Sequence, residues 1–212
     1  MKKNRILLLL LSAIVATTSL VSCSEEDDDV EEFPNWREVN EIYFENLSDS
    51  VISLIDDNEN CGWQRIKCWS YPVVEDGYEG INTDYIIVEV LDEAPDTETE
   101  SPLYTDSISV HYMGRLLPSV SYSNGYLFAY SYYLPFDREI ALPTGFEISG
   151  LTDGFATAVM NMRRGDNWKV YVPYTLGYGE DGYSSGGIPA YSTLIFTIEL
   201  VDFWSPEYEG EE

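Results

Sequence analysis

The stretch from Val170 to Phe203 constrains the fold more than any other part of the chain. It contains two strand-like runs on either side of a glycine-rich segment. The second run alternates strictly, with Leu194, Phe196, Ile198 and Leu200 on one face and Thr197 and Glu199 on the other. A period of two is typical of a β-strand with one buried face. Because Pro189 cannot donate to a strand ladder, we expect it to lie in the loop, which then overhangs the space that the two strands enclose.

The first 22 residues are typical of an export signal. Basic residues at Lys2, Lys3 and Arg5 precede an apolar run that is shorter than the roughly 20 residues of a membrane-spanning helix. Leu20–Cys23 looks like a bacterial lipobox, in which Cys23 is acylated; an ordinary cleaved signal is the alternative. Acyl chains contribute about 0.8 kcal/mol per buried CH₂ group. We therefore predict a lipoprotein signal over 1–22 and a cell-envelope protein whose membrane partner is reached through Cys23.

Acidic residues far outnumber basic ones. The chain has 38 Asp and Glu against 11 Lys and Arg, a net charge of −27. Such a charge excludes nucleic-acid binding and peripheral binding to anionic lipid as main functions. The acidic run after Cys23 predicts a solvated tether over 23–35, and the last residues, 205–212, predict an acidic tail.

A helix is predicted at the start of an extension that covers 36–103. Apolar residues recur there every three or four positions, at Trp36, Val39, Tyr43, Leu47, Val51 and Leu54. This spacing gives one apolar stripe, and Asn35 with Glu38 has the spacing of a capping box. We expect the stripe to pack within the chain; pairing with a second copy is the alternative, and the sequence does not indicate the oligomeric state.

Cys61 and Cys68 are the other two cysteines of the chain. In an exported protein two neighbouring cysteines are candidates for a disulfide, and two free thiols are the alternative. The only histidine, His111, is remote from both in sequence, so no metal site is predicted. Nothing indicates a cofactor.

Further strands and one short helix are predicted from local patterns. Weak alternation at 63–70 and the β-branched residues of 84–92 favour strands in these two segments. In the strand predicted over 107–116, His111 faces away from the side that carries Tyr112. Phe155, Val159 and Met162 recur with helical spacing and predict a helix that packs on the sheet.

Several short motifs occur in an order that identifies a family. They are Val110–Gly114, Asn124–Phe128, Gly154–Phe155, Gly165–Asp166, Tyr178–Gly179, Ile188–Pro189 and Thr193–Phe196. Together they resemble the FKBP-type peptidyl-prolyl isomerases over 104–204. The resemblance implies an α+β fold in which a curved antiparallel sheet wraps on a short helix.

The resemblance also implies a set of site residues. The side chains that would hold a prolyl ring and act in catalysis are Tyr112, Phe128, Phe155, Tyr178 and Phe196. Further contacts to the substrate would come from Phe146, Leu151, Thr152, Ile188 and Tyr191. In the family, the phenylalanine that corresponds to Phe128 is commonly followed by Asp, whereas this chain has Ala129. Phe136–Asp137 offers the usual dipeptide later in the chain, but turn spacing favours Phe128, so an acidic contact is missing.

The implied reaction needs no nucleophile. Rotation about a peptide bond meets a barrier of about 18–20 kcal/mol because twisting removes amide resonance. An apolar pocket that strips water from the carbonyl lowers this barrier. We therefore expect an isomerase acting on X-Pro bonds, with proline-containing polypeptides as partners. The alternatives are a catalytically weak binding or chaperone module and a purely structural surface lipoprotein.

Overall fold

The computed structural model describes residues 31–71 and 80–206. The predicted signal, Cys23, most of the acidic tether and most of the acidic tail lie outside the described residues. None of the helices in the described part of the chain combines the length and the apolar character that a membrane crossing requires.

In these ranges two helices and seven strands alternate with short 3-10 turns. In chain order they are α1 (Trp36–Asp57), β1 (Trp63–Lys67), β2 (Tyr85–Asp92), β3 (Ser107–Arg115), β4 (Leu127–Tyr130), β5 (Thr144–Glu147), α2 (Asp153–Asn161), β6 (Asn167–Val172) and β7 (Leu194–Trp204).

The strands form one antiparallel sheet in the order β1-β2-β6-β7-β3-β4. β5 pairs with the first residues of β3, Ser107–Val110. β4 pairs with the last residues of β3, Met113–Arg115, on the same edge. The register shifts between Ser109 and Val110 in the pairing with β7, and between Gly114 and Arg115 in the pairing with β4. Such irregularities bend a sheet and increase its twist. The predicted α+β fold with a curved sheet and a short helix is confirmed.

The sheet is covered by a helix on each face. On the inner face α2 buries Phe155 and Val159 in the core that contains Ile86 and Val88 of β2. On the outer face α1 buries Phe44 and Val51 against Ile87 and Tyr171. Neighbouring residues of a strand point to opposite faces, which explains why β2 is apolar at consecutive positions.

The strands before the family-like region belong to the same sheet. β2 pairs with β6 along Ile87–Asp92, and β1 pairs with β2. The predicted border between 36–103 and 104–204 therefore separates strands that belong to one sheet. The predicted internal packing of α1 is also observed, because its buried face rests on this sheet.

Two details predicted for α1 are wrong. Asn35 has a left-handed backbone (φ 50°) and makes no side-chain capping bond. Val39 and Leu54 are 42% and 44% exposed, whereas Asn40 is buried in their place. Asn40 tolerates burial because its amide donates to the Trp36 carbonyl and accepts from the Thr193 N–H.

The disulfide that was considered for Cys61 and Cys68 is not present, since both are free cysteines. Strand β1 separates them, and an extended chain of this length spans roughly 20 Å. A disulfide requires Cα atoms within about 7 Å. The Cys61 Sγ instead faces the Trp63 carbonyl, and the Cys68 Sγ lies 3.2 Å from the Ser70 Oγ.

Candidate functional site

A cavity of about 330 Å³ opens between the inner face of the sheet, α2 and the loop before β7. It is lined by Tyr112, Phe128, Ala129, Phe146, Gly150, Leu151, Thr152, Phe155, Tyr178, Tyr183, Gly186, Ile188 and Phe196. Every substrate-site residue predicted from the sequence is in this set except Tyr191.

The floor of the cavity is built from aromatic rings in edge-to-face contact. The Phe155 ring lies 5.0 Å from the ring of Phe196, 6.1 Å from Tyr112 and 6.3 Å from Phe146, measured between centroids. Phe128 meets Phe196 at 5.6 Å. Such pairs are stabilised by edge-to-face geometry beyond simple burial, so each ring fixes the orientation of the next.

Gly114 of β3 allows two of these rings to approach the backbone. A Cβ atom at this position would lie 2.6 Å from the Phe128 ring and 2.9 Å from the Phe196 ring. Both distances are too short for any side chain to occupy. The glycine is therefore needed for the floor to close, which explains its place in the Val110–Gly114 motif.

The rim is formed by the loop between β6 and β7. The rings of Tyr178 and Tyr183 are stacked at 5.2 Å with an angle of 14° between their planes. Tyr183 and Ile188 exchange both backbone hydrogen bonds, at 2.8 and 3.0 Å. Because its N–H and C=O are engaged in this way, Ile188 covers the cavity with its side chain and offers no free backbone group.

The hydroxyls of Tyr112 and Tyr178 in the cavity remain protonated. Burial raises the pKa of Tyr112 above its usual value, and neighbouring Tyr178 raises it further. Burial likewise raises the pKa of Tyr178, with a second contribution from Tyr183. At neutral and mildly alkaline pH both hydroxyls can therefore donate hydrogen bonds to a carbonyl oxygen.

None of the residues that line the cavity carries a charge. Ala129 stands in the wall directly after Phe128. Phe136 lies elsewhere, with its ring 5.1 Å from that of His111 on the outer face of β3. The structure thus agrees with the turn-spacing argument for Phe128. No group of His, Cys, Asp or Glu within the described residues is placed to hold a metal ion.

Tyr191 is the predicted site residue that the structure places outside the cavity. Its backbone is left-handed (φ 60°), and its ring packs on Tyr174 at 5.1 Å. The Arg37 guanidinium lies 4.4 Å above the Tyr191 ring, in a separate groove beside α1. The left-handed turn directs this side chain toward the helix, which sequence spacing could not indicate.

Sequence reasoning missed Tyr183 and Gly186 in the rim. A Cβ atom on Gly186 would lie 2.6 Å from the Tyr183 ring, so the glycine leaves room for that ring. The sequence feature that could have indicated these two residues is an aromatic residue inside a glycine-rich loop.

The end of the loop is fixed by buried polar contacts to α1. The Trp36 Nε1–H donates to the Ser192 Oγ at 2.8 Å, and the Ser192 hydroxyl donates to the Pro189 carbonyl at 2.7 Å. One residue further on, the Thr193 N–H donates to the Asn40 Oδ1 at 2.7 Å. We call these bonds the α1–loop relay. They hold the segment directly after Ile188 of the cavity.

The comparison with protein-family models matches 98–201 to the FKBP-type peptidyl-prolyl cis-trans isomerases. This part of the chain is thus similar to an FKBP-type domain. It contains β3 to β6, α2, the loop and most of β7, and so it contains every residue that lines the cavity.

Similar proteins include the macrophage infectivity potentiator of Trypanosoma cruzi, 38% identical over 101 residues, which are 48% of this chain and 45% of the relative. The FKBP-type 22 kDa peptidyl-prolyl cis-trans isomerase of Escherichia coli K12 is 32% identical over 103 residues, 48% of this chain and 43% of the relative. The chain thus spans less than half the length of either. The crystal structure of FkpA from Escherichia coli is similar with a TM-score of 0.54 and 22% identity, covering 81% of this chain and 62% of FkpA. That likeness concerns the fold alone.

Proposed function

We propose that this protein is a peptidyl-prolyl cis-trans isomerase that acts on X-Pro bonds of exported polypeptides in the cell envelope. The observation that carries the proposal is one uncharged cavity in which the rings of Tyr112, Phe155, Tyr178 and Phe196 all take part. The match to the FKBP-type family model and the isomerase names of similar proteins support it. The predicted signal and Cys23 support the location.

The proposed mechanism is desolvation of the twisting amide. A prolyl ring held among Phe128, Phe155 and Phe196 would place its preceding carbonyl in surroundings without charge or bulk water. Water favours the planar, polar amide, so its removal lowers the cost of rotation. The isomers of an X-Pro bond differ by only about 0.5–1 kcal/mol, so the reaction is readily reversible. Each reduction of the barrier by about 1.4 kcal/mol gives a tenfold rate increase.

The rim would bind the chain on either side of the proline. The Tyr178 hydroxyl, which keeps its proton, is the proposed donor to a substrate carbonyl. Leu151 and Thr152 are proposed to contact the peptide backbone from the opposite wall, and Ile188 to cover the bound ring. Binding that is tighter for the twisted amide than for either planar form accelerates the exchange.

The test is a protease-free cis-trans isomerisation assay with a proline tetrapeptide. We expect the chain to accelerate exchange, Phe155→Ala to reduce kcat/KM by at least about tenfold, and Tyr178→Phe to reduce it by about two- to tenfold. The matched control is Phe44→Ala, a buried phenylalanine on the outer face of the sheet. It should lower stability without lowering kcat/KM of the folded fraction. No acceleration by the folded wild-type chain would overturn the proposal.

A second candidate is a module that holds proline-containing segments without turnover. Ala129 favours it, because the cavity wall lacks the acidic residue that the resemblance leads one to expect. Saturable peptide binding without acceleration in the same assay would select this candidate. A purely structural surface lipoprotein has lost its main support, since the apolar face of α1 is covered by its own sheet.

A further inference from the structure

Large apolar side chains are concentrated on the surface between β4 and β5. We call residues 130–142 the aromatic lobe. Ile140 and Leu142 are 78% and 81% exposed there, and Tyr133 and Leu134 are exposed nearly as much. Side chains of this size rarely remain in water as a group unless they contact a partner.

The aromatic lobe is fixed to the domain. Arg138 forms a 2.5 Å ion pair with Glu199 of β7. The rings of Tyr132 and Phe136 pack on His111 of β3. The backbone of Tyr112 both accepts a hydrogen bond from the Ser131 N–H and donates one to the Ser131 Oγ, each at 2.9 Å. The exposed apolar side chains are thus presented by an anchored scaffold.

The aromatic lobe continues directly from the cavity wall. Ala129 lines the cavity, and Ser131 two residues later lines a groove of about 440 Å³ that extends to Leu142. Tyr112 contributes its ring to the cavity and its backbone to the start of the lobe. β4 ends the order of the sheet, and no further strand in the described part of the chain pairs with its outer edge.

We propose that the aromatic lobe docks an apolar segment of the same client polypeptide whose proline occupies the cavity. This inference rests on the proposed function. An extended tetrapeptide covers only about 13 Å, so we expect it to fill the cavity alone. The lobe would select longer unfolded polypeptides that carry apolar residues near the proline.

Charge argues against the other occupants. The chain carries a net charge of −27, and Asp137 and Glu139 lie within the lobe itself. This charge repels both an anionic lipid surface and a second copy of the chain. An unfolded client with neutral or basic residues beside its apolar segment meets no such repulsion.

The test compares two substrates on one variant. In Tyr133→Ser/Ile140→Ser/Leu142→Ser three exposed side chains are replaced, none of which lines the cavity. We expect kcat/KM for a proline tetrapeptide to stay within about twofold of wild type. For the proline-limited refolding of staphylococcal nuclease, a basic protein without disulfides, we expect a loss of at least about tenfold, mainly through KM. The matched control is Val39→Ser/Ile42→Ser/Leu54→Ser on the exposed side of α1, which should leave both substrates unchanged.

The outcomes separate the two proposals. If the wild-type chain does not turn over the tetrapeptide, the proposed function fails, and the lobe is then tested by fluorescence anisotropy with labelled, reduced and carboxamidomethylated lysozyme, a basic chain that stays unfolded. Equal catalysis of nuclease refolding, or equal binding of the unfolded lysozyme, by wild type and lobe variant overturns the docking proposal. The docking proposal is also overturned if the three lobe substitutions weaken only the binding to phosphatidylglycerol vesicles, or only the self-association seen in gel filtration.

Discussion

At the residue scale, the closeness of Gly114 to two cavity rings leads to a clear prediction. Gly114→Ala should reduce kcat/KM by at least about tenfold and destabilise the fold by about 1–3 kcal/mol, because its methyl group must displace Phe128 and Phe196. The measurements are the isomerisation assay and thermal unfolding. Gly145→Ala is the control, since its nearest neighbour would be an ordinary 3.8 Å away. Equal activity of the two variants would contradict the role given to Gly114.

His111 predicts a pH dependence of stability. Burial is the main cause that lowers its pKa below the usual value; Glu199 raises it, and Arg138 lowers it again. The folded state therefore binds this proton less readily than the unfolded state. Stability should be complete above the unfolded pKa of about 6.5 and should fall with decreasing pH, by up to about 1.4 kcal/mol per pH unit.

The measurement is urea unfolding between pH 8 and 5.5. His111 is the only histidine of the chain, so His111→Phe removes the whole histidine contribution and keeps a ring beside Tyr132 and Phe136. We expect a flatter dependence in this variant over that range. An unchanged slope would show that other groups cause the effect.

Sequence predicted the cavity residues well where strand register or helix spacing fixed them. The period of two in β7 placed Phe196 inward, and the period of α2 did the same for Phe155. Tyr191 was misplaced because its direction depends on one left-handed backbone angle, and Tyr183 was missed because a loop has no period. Tertiary contacts that decide such positions leave no pattern in the sequence.

At the scale of elements, the α1–loop relay makes the first helix part of the site. Asn40→Ala leaves the buried Thr193 N–H without its acceptor, and we expect a loss of about 1–3 kcal/mol in the free energy of unfolding. Because the loop carries Ile188, kcat/KM should also fall by about three- to tenfold. Urea unfolding and the isomerisation assay measure the two effects.

Ser50→Ala is the control on the same helix. The Ser50 hydroxyl is exposed and bonds only within α1. This variant should keep both stability and activity, because alanine is a better helix former than serine. If Asn40→Ala lowers stability but leaves the activity of the folded fraction unchanged, the relay supports the fold without positioning the loop.

The extent of α1 could be predicted from its apolar spacing, but its buried face could not. A polar residue such as Asn40 is assigned to the solvent side by any hydropathy pattern. Its burial depends on a backbone donor 153 positions away. The capping box failed for a related reason, since the chain enters α1 through a left-handed residue.

At the scale of the whole molecule, the family-matched region is smaller than the folding unit. A fragment of 98–206 lacks β1, β2 and α1, and with them the fully buried Ile86, Ile87 and Val88. The edge of β6 would then be uncovered. We expect this fragment to show no cooperative thermal transition, whereas 31–206 unfolds in one step. Calorimetry of the two fragments decides the point, and a cooperative transition of 98–206 within about 5 °C of the longer one would contradict it.

The fold class followed from the resemblance to the FKBP-type family, which the order of the motifs along the chain indicated. Gly154–Phe155 lies in α2, and the other motifs lie in strands, turns or loops. The pairing of β2 with β6 was harder to foresee in detail, since it joins strands far apart in the chain. Loop lengths and apolar content do not specify which of two distant strands will pair.

The position of β7 has a consequence for how the protein is made. It is the last strand in the described part of the chain, yet it lies between β6 and β3 and contributes Phe196 to the cavity. A nascent molecule that emerges from the ribosome amino terminus first has a divided sheet until translation of this strand is complete. The cavity therefore cannot form before this strand has been made.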